Sequence, residues 1–353
     1  MKKYSSILLV STMVISLITG CSKPQQSSTA SISSQISASS TTSNSDTTST
    51  QEVKVLRYHS ANPENDPRTQ AGYYLRDRVA EKTNKLVIEV YPDAQLGASE
   101  DVHAMIAMGE NIASATDSAW FSSLQPGFDI LGGPFFTETE EELYKIAQTD
   151  WFKEQVAELE SKGVKILAPN WMDGSRHLMT KFPVKTPTDL KGKKIRVPNI
   201  QVSTDMMDAL GATPTPMPLT EMYSALQQGV IDGCENPYAT LAARKTQEVC
   251  KYLTITAHQK MLSLFFISTD FYNSLEPDVQ EALTQSALET GEYFSKVLMP
   301  KANEQALETF KEAGVTIIDD ADIKAFRDAT LSVYNNWSMD TYNLIQEQLA
   351  AVK

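Results

Sequence analysis

Histidine and cysteine, the residues on which metal and thiol chemistry most often rests, are scarce in this chain. Its four histidines, His59, His103, His177 and His258, are widely spaced. The sequence has no H-E-x-x-H, no G-x-S-x-G, no phosphate-binding glycine loop and no cysteine pair at zinc-ligand spacing, so nothing in it announces an enzyme, a cofactor or a metal site. Of the three cysteines, Cys21 lies near the N-terminus, while Cys234 and Cys250 fit either a disulfide or two buried thiols. Positive charge is also in deficit, with 31 Lys and Arg against 44 Asp and Glu, a formal net charge of −13. That balance argues against nucleic acid or an anionic membrane surface as partner, since both need a basic face. It leaves open a local pocket of arginines for a small anion. The longest apolar run, from Ile7 to Ile18, is too short to span a bilayer comfortably.

That run has its own meaning. Lys2 and Lys3 form a basic start, the apolar run follows, and Ile18-Thr19-Gly20-Cys21 resembles the lipobox of bacterial lipoproteins. Residues 1–20 are therefore expected to be a signal peptide and Cys21 the lipidated first residue of the mature chain, anchored to the outer face of a membrane that it does not span. From Ser22 to about Gln51 the composition is almost wholly Ser, Thr, Gln, Ala and Asn. Such a segment buries too little apolar surface to offset its chain entropy, so residues 21–52 are expected to form a disordered tether.

The folded part reads as α/β. Val53 to His59 and Leu86 to Tyr91 are strands around a helix bearing Tyr74, Leu75 and Val79, a βαβ opening that implies a parallel sheet. A helix from Ser99 to Met108, stopped by Gly109, turns into a strand at Ile112. The same plan recurs at Ser224 to Gln228, Gly229 and Val230, which predicts two similar lobes sharing a cleft. Leu262 to Ser268 is a strongly apolar strand, and an apolar period from Pro277 to about Ala313, broken at Pro300, predicts a long helix spanning both lobes. The expected division is 53–173 with about 262–300 in the first lobe, 174–261 with about 330–353 in the second, and 301–329 crossing between them.

Between Lys191 and Pro237 the chain reads as a strand ending in Arg196, a helix, a Pro-rich crossing, a helix closed by Gly229, and a second strand leading to Glu235-Asn236. Open α/β sheets bind ligands outside the carboxyl ends of their strands. Arg196 stands between Ile195 and Val197, so at period two it faces away from them and presents a planar fork suited to a carboxylate. Asn236, directly before Pro237, fits a helix N-cap, a ligand contact, or both.

These segments together resemble the extracytoplasmic solute receptors of tripartite ATP-independent periplasmic (TRAP) transporters, the DctP type. The likeness is carried by Pro187 to Pro198, Leu210 to Pro214, Glu221 to Gly233, Glu235-Asn236-Pro237 and the first-lobe turn Tyr91-Pro92 with Gln95-Leu96-Gly97. It runs from about Val53 to the end of the chain and departs at Cys234, where an uncharged polar side chain such as Gln is usual. The resemblance implies a two-lobed periplasmic-binding-protein-like fold and a ligand carboxylate held by Arg196 and Asn236, with Arg176 as a further arginine. Trp171, His59, Gln95, Tyr238 and Trp120 are the further candidate lining residues. It also implies a small organic acid anion, either a sugar acid or a C4-dicarboxylate, and a membrane permease as partners of a monomeric receptor. A sensor that presents the same acid to a membrane signalling partner is the alternative.

Overall fold

The computed structural model describes residues 53–336 and 339–351. The signal segment, Cys21 and the tether lie outside the described residues.

Among the described residues one continuous nine-stranded sheet runs in the order β2 (Leu86–Tyr91), β1 (Lys54–His59), β3 (Ile112–Asp117), β8 (Tyr252–Ser268), β4 (Val164–Thr180), β7 (Gly233–Asn236), β5 (Lys194–Val197), β6 (Thr213–Pro216), with β9 (Thr316–Ile318) added to β8. The chain enters through β1 (Lys54–His59), α1 (Pro67–Lys82) and β2 (Leu86–Tyr91), and β1 and β2 pair in parallel as the βαβ pattern requires. Asp66 caps α1 by accepting from the Arg68 backbone N–H, with Pro67 in the first turn, where its missing N–H costs nothing. Helix α2 (Ser99–Ala107) ends before Gly109, whose φ of 104° turns the chain into β3 (Ile112–Asp117). Two helices follow, α3 (Glu140–Ile146) and α4 (Asp150–Ser161). Thr139 starts the first with a capping box and Thr149 caps the second, which separates them.

Two strands join the lobes. β4 (Val164–Thr180) and β8, which comes later in the chain, are each 17 residues long and pair antiparallel along their length, with register shifts between Ile166 and Ala168, Ala168 and Trp171, Met172 and Gly174, and Arg176 and Leu178. The polar stretch from Asn170 to His177 is part of β4, because bulges and Gly174 at φ 90° absorb its irregularity without ending the ladder. β5 (Lys194–Val197), α5 (Gln201–Ala209), β6 (Thr213–Pro216), α6 (Met222–Gln228), β7 (Gly233–Asn236) and α7 (Tyr238–Ala243) build the second lobe. The Pro-rich crossing is itself an edge strand, β6, where prolines are tolerated because the N–H they lack would have no ladder partner on the open side.

β8 (Tyr252–Ser268) returns the chain to the first lobe, and α8 (Thr269–Asn273) follows it. Helix α9 (Pro277–Tyr293) runs through a π-turn at Phe294–Leu298 into α10 (Met299–Glu312). Pro300 therefore bends the pattern without breaking it, since the wider turn relieves the clash of its ring with the preceding carbonyls. Val279, Leu283, Ala287 and Phe294 pack in the core around β1, β2 and Trp171, while Ala306 and Phe310 pack with Met222, Leu226 and Cys234 of the second lobe. The long helix thus spans both lobes. β9 (Thr316–Ile318) joins β8, and α11 (Ile323–Thr330) buries Phe326 in the second-lobe core. The last helix, α12 (Met339–Ala351), is expected in the second lobe but packs on α3 and α4 of the first, with Ile345 beside Leu143 and Trp151 and with Gln348 accepting from the Trp151 N–H at 2.8 Å. Its apolar positions match the uncovered face of those two helices, which the sequence pattern alone does not assign.

Candidate functional site

The strand ends converge on one interlobe cavity. Asn62, Arg68, Glu100, Asp117 and Trp120 line it from the first lobe, and Arg196, Ile200, Thr220, Asn236 and Thr240 from the second. Arg176 and Met261 reach it from β4 and β8.

Arg196 is placed by β5 as the alternation predicts. Ile195 and Val197 are buried in the second-lobe core, and the guanidinium turns to the cavity while remaining only 3% exposed. Its Nε and Nη2 donate to the Met217 carbonyl at 3.1 and 2.8 Å. Among the described residues it forms no ion pair. Burial draws its pKa down to about 10, with Glu235 pulling the other way, so it stays charged at neutral pH. Asn236 ends β7 and is buried; among the described residues its Nδ2 meets the Met222 sulfur, at 4.0 Å. The N-cap of α7 is Pro237, one residue on, so the Asn236 amide does not cap that helix.

Arg176 has the opposite setting. It is locked to Glu235 through Nε and through Nη2, which lies 2.7 Å from Oε1, and Nη2 also donates to the Glu235 carbonyl at 3.1 Å. Its Nη1 points to the Met261 sulfur at 3.1 Å. Burial alone would raise Glu235, but the Arg176 guanidinium overrides it and holds the carboxyl at about 2. Arg68, from the first turn of α1, is likewise paired with Asp173 and donates to Ser263 at 3.1 Å.

Trp120 lines the cavity, with its ring edge-on to His103 at 5.4 Å. Four other candidates do not. Trp171 is fully buried between Phe265 and Phe294 in the first-lobe core, its indole N–H donating to the Ala287 carbonyl at 3.3 Å. His59 is buried on β1, where desolvation lowers its pKa to about 4. Gln95 is exposed on the turn after β2, and Tyr238 stacks on His177 with ring centroids 4.2 Å apart. Large aromatic and imidazole groups fill core space as readily as pockets, and here they do.

The sequence reading missed Asn62, Arg68, Glu100, Asp117 and Thr240. A signal for Asp117 was present, since the two-lobe plan puts the end of β3 in the place that the end of β7 holds in the second lobe. Asp66-Pro67 also marked a helix start, and a first-turn residue such as Arg68 lies beside the strand ends. Among the described residues, no group of three or more His, Cys, Asp or Glu side chains is arranged to hold a metal ion.

Two contacts link the lobes beside the cavity. Arg244, beyond α7, reaches across to Asp93 at 2.9 Å and to the Ala61 carbonyl, and Asn199 donates to Glu100. Asp93 and Ala94 both take left-handed backbone angles, φ 49° and 57°, which brings the Asp93 carboxylate up to Arg244.

Residues 58–340 match the DctP model, described as bacterial extracellular solute-binding protein, family 7. The 2,3-diketo-L-gulonate-binding periplasmic protein YiaO of Escherichia coli is 33% identical over 276 residues, 78% of this chain and 84% of its own. The C4-dicarboxylate-binding periplasmic protein DctP of Rhodobacter capsulatus is 30% identical, over 74% of this chain and 79% of its own. A TRAP periplasmic solute-binding protein from Ochrobacterium anthropi, solved with bound L-fuconate, superposes with a TM-score of 0.81 at 37% identity, covering 84% of this chain and 99% of that one. The chain belongs to the DctP family of extracellular solute-binding proteins, the receptors of TRAP transporters.

Proposed function

We propose that this protein captures a small organic acid by its carboxylate in the interlobe cavity and hands it to the membrane permease of a TRAP transporter. As a family member it is an extracytoplasmic binding protein and not an enzyme. The observation that carries the proposal is Arg196, a buried guanidinium facing the cavity with no ion-pair partner among the described residues. A buried charge without a counter-ion is costly, and a ligand carboxylate supplies one in a geometry the planar fork accepts bidentately. Asn236 stands ready beside it, Arg176 offers its Nη1 edge, and Trp120 gives an apolar wall. The relatives fit this reading, since the ligands named for them, diketogulonate, a C4-dicarboxylate and L-fuconate, are all organic acids. Each charge-assisted hydrogen bond contributes roughly 1.5–3 kcal/mol, and micromolar binding needs about 8 kcal/mol, so a few such contacts in a closed cleft are enough. In the same reading Cys21 is lipidated and holds the receptor at the membrane face near its permease.

The test is a thermal-shift screen against organic acids, neutral sugars and peptides, because a ligand that binds only the folded state raises its melting temperature by mass action. An acid is expected to give the largest shift. A neutral sugar or peptide shifting the midpoint while every acid fails would overturn the carboxylate reading.

A further inference from the structure

The charges that line the cavity are unequal in a way that bears on which acid enters. Arg68 is ion-paired with Asp173 and Arg176 with Glu235, so neither brings an unspent positive charge. Arg196 is the lining cation without such a partner. Against it stand two lining carboxylates that lack ion pairs among the described residues. Asp117, at the end of β3, is 5% exposed and accepts from the Ala119 N–H at 3.0 Å and from Gln259 Nε2 at 3.1 Å. Glu100, in the first turn of α2, accepts through Oε1 from Asn199, while its Oε2 is buried with no hydrogen-bond partner. A carboxylate oxygen only accepts, so what satisfies it is a donor on the ligand.

Resting on the carboxylate reading above, we propose that Glu100 and Asp117 are the specificity-determining residues of this site. They accept hydrogen bonds from ligand hydroxyls and repel a second negative charge, so that the cavity selects a polyhydroxylated monocarboxylate, a sugar acid, over a C4-dicarboxylate. The monocarboxylate gives Arg196 its counter-ion and gives Glu100 Oε2 its missing donor. A dicarboxylate of similar length directs its second carboxylate at Glu100 and Asp117, where like charges meet in a desolvated space. Discrimination of this kind comes from a repulsive element as much as from an attractive one.

Calorimetry on the purified receptor, freed of ligand by unfolding and refolding, tests this with galactonate, gluconate, fuconate and galacturonate against succinate, malate and lysine. At least one sugar acid is expected to bind on the order of 100-fold more tightly than succinate or malate, given the cost of like-charge juxtaposition. Asp117→Asn and Glu100→Gln, each keeping side-chain shape, are each expected to narrow that ratio by about tenfold, by weakening the sugar acid and improving malate. Circular dichroism confirms that the variants are folded. Succinate or malate binding the wild type as tightly as the best sugar acid overturns the proposal, as does a ratio unmoved in both variants. Lysine binding more tightly than every sugar acid overturns it too, since the two carboxylates then serve an ammonium group. Failure of this proposal is separable from failure of the carboxylate reading: malate binding that is lost in Arg196→Ala sinks only the specificity claim, whereas no binding of any acid sinks both.

Discussion

Arg176 and Arg196 line one cavity, yet their local chemistry gives them different work. The antiparallel register of β4 and β7 sets His177 opposite Asn236 and brings Arg176 beside Glu235, and the pair is dry. Removing one member of a buried pair leaves an uncompensated charge, so Glu235→Gln is expected to destabilise the fold by about 3–5 kcal/mol, read as a drop in the urea midpoint at pH 7. An unchanged midpoint would show that Arg176 finds water or another partner. Arg196 was legible from sequence because alternation on a short strand forces it away from Ile195 and Val197. Asn236 was legible by its place at a strand end. The neutralisation of Arg176 was not, since an ion pair across strands depends on a register that no local pattern encodes. For Trp171 the error has another source: an aromatic beside polar residues reads the same whether its ring fills a core or a pocket.

At the scale of elements, the molecule depends on two long strands shared by the lobes and one helix laid along both. Helix α9 comes so close to β4 at Gly291 that an added Cβ would collide with the side chains of Asn170 and Trp171. Gly291→Ala is expected to cost about 1–3 kcal/mol through overpacking although alanine favours helix, and a rise in melting temperature would contradict that contact. Beside the cavity, Arg244 reaches from the second lobe to Asp93 and to the Ala61 carbonyl of the first, and neither Arg244 nor Asp93 lines the cavity itself. Asp93 is well exposed, so the ion pair itself contributes little, and the carbonyl bond adds about 1 kcal/mol. Arg244→Ala should therefore weaken every ligand by the same factor, on the order of fivefold, and mainly through faster release. Stopped-flow dissociation of two different acids checks it, and a loss confined to one of them would place Arg244 in the recognition surface instead. The βαβ opening, the Gly-stopped helices and the long helix were legible because periodicity and caps are local. The 17-residue β4 was hidden by its own bulges, and α12 was misplaced because an apolar face does not say which surface covers it.

For the molecule as a whole, pH acts through buried groups. Burial lowers His59 to about 4 and His103 and His177 to about 3, so in the folded state all three stay neutral where free histidine, near 6.5, takes a proton. Below pH 6.5 the unfolded chain binds more protons than the folded one. The stability these groups provide is full above pH 6.5 and is lost as pH falls towards 4 and then 3. Asp117 works in the opposite sense, since burial raises it to about 6 against the pull of Arg176, and burial raises Asp66 and Glu140 as well, but these start from the lower carboxylate range whereas the histidines titrate from 6.5, inside the range tested. The urea midpoint is expected to be lower at pH 5 than at pH 7.5; a flat or rising midpoint would mean that the histidines reach solvent in the folded state. Capture of the acid depends above all on Arg196, and the decisive measurement is calorimetry of the acid that most raises the melting temperature, with wild type and Arg196→Ala side by side. Arg196→Ala is expected to lose about 3–5 kcal/mol, at least a hundredfold in affinity, with both proteins folded. A loss of less than tenfold would contradict it and remove Arg196 from the site.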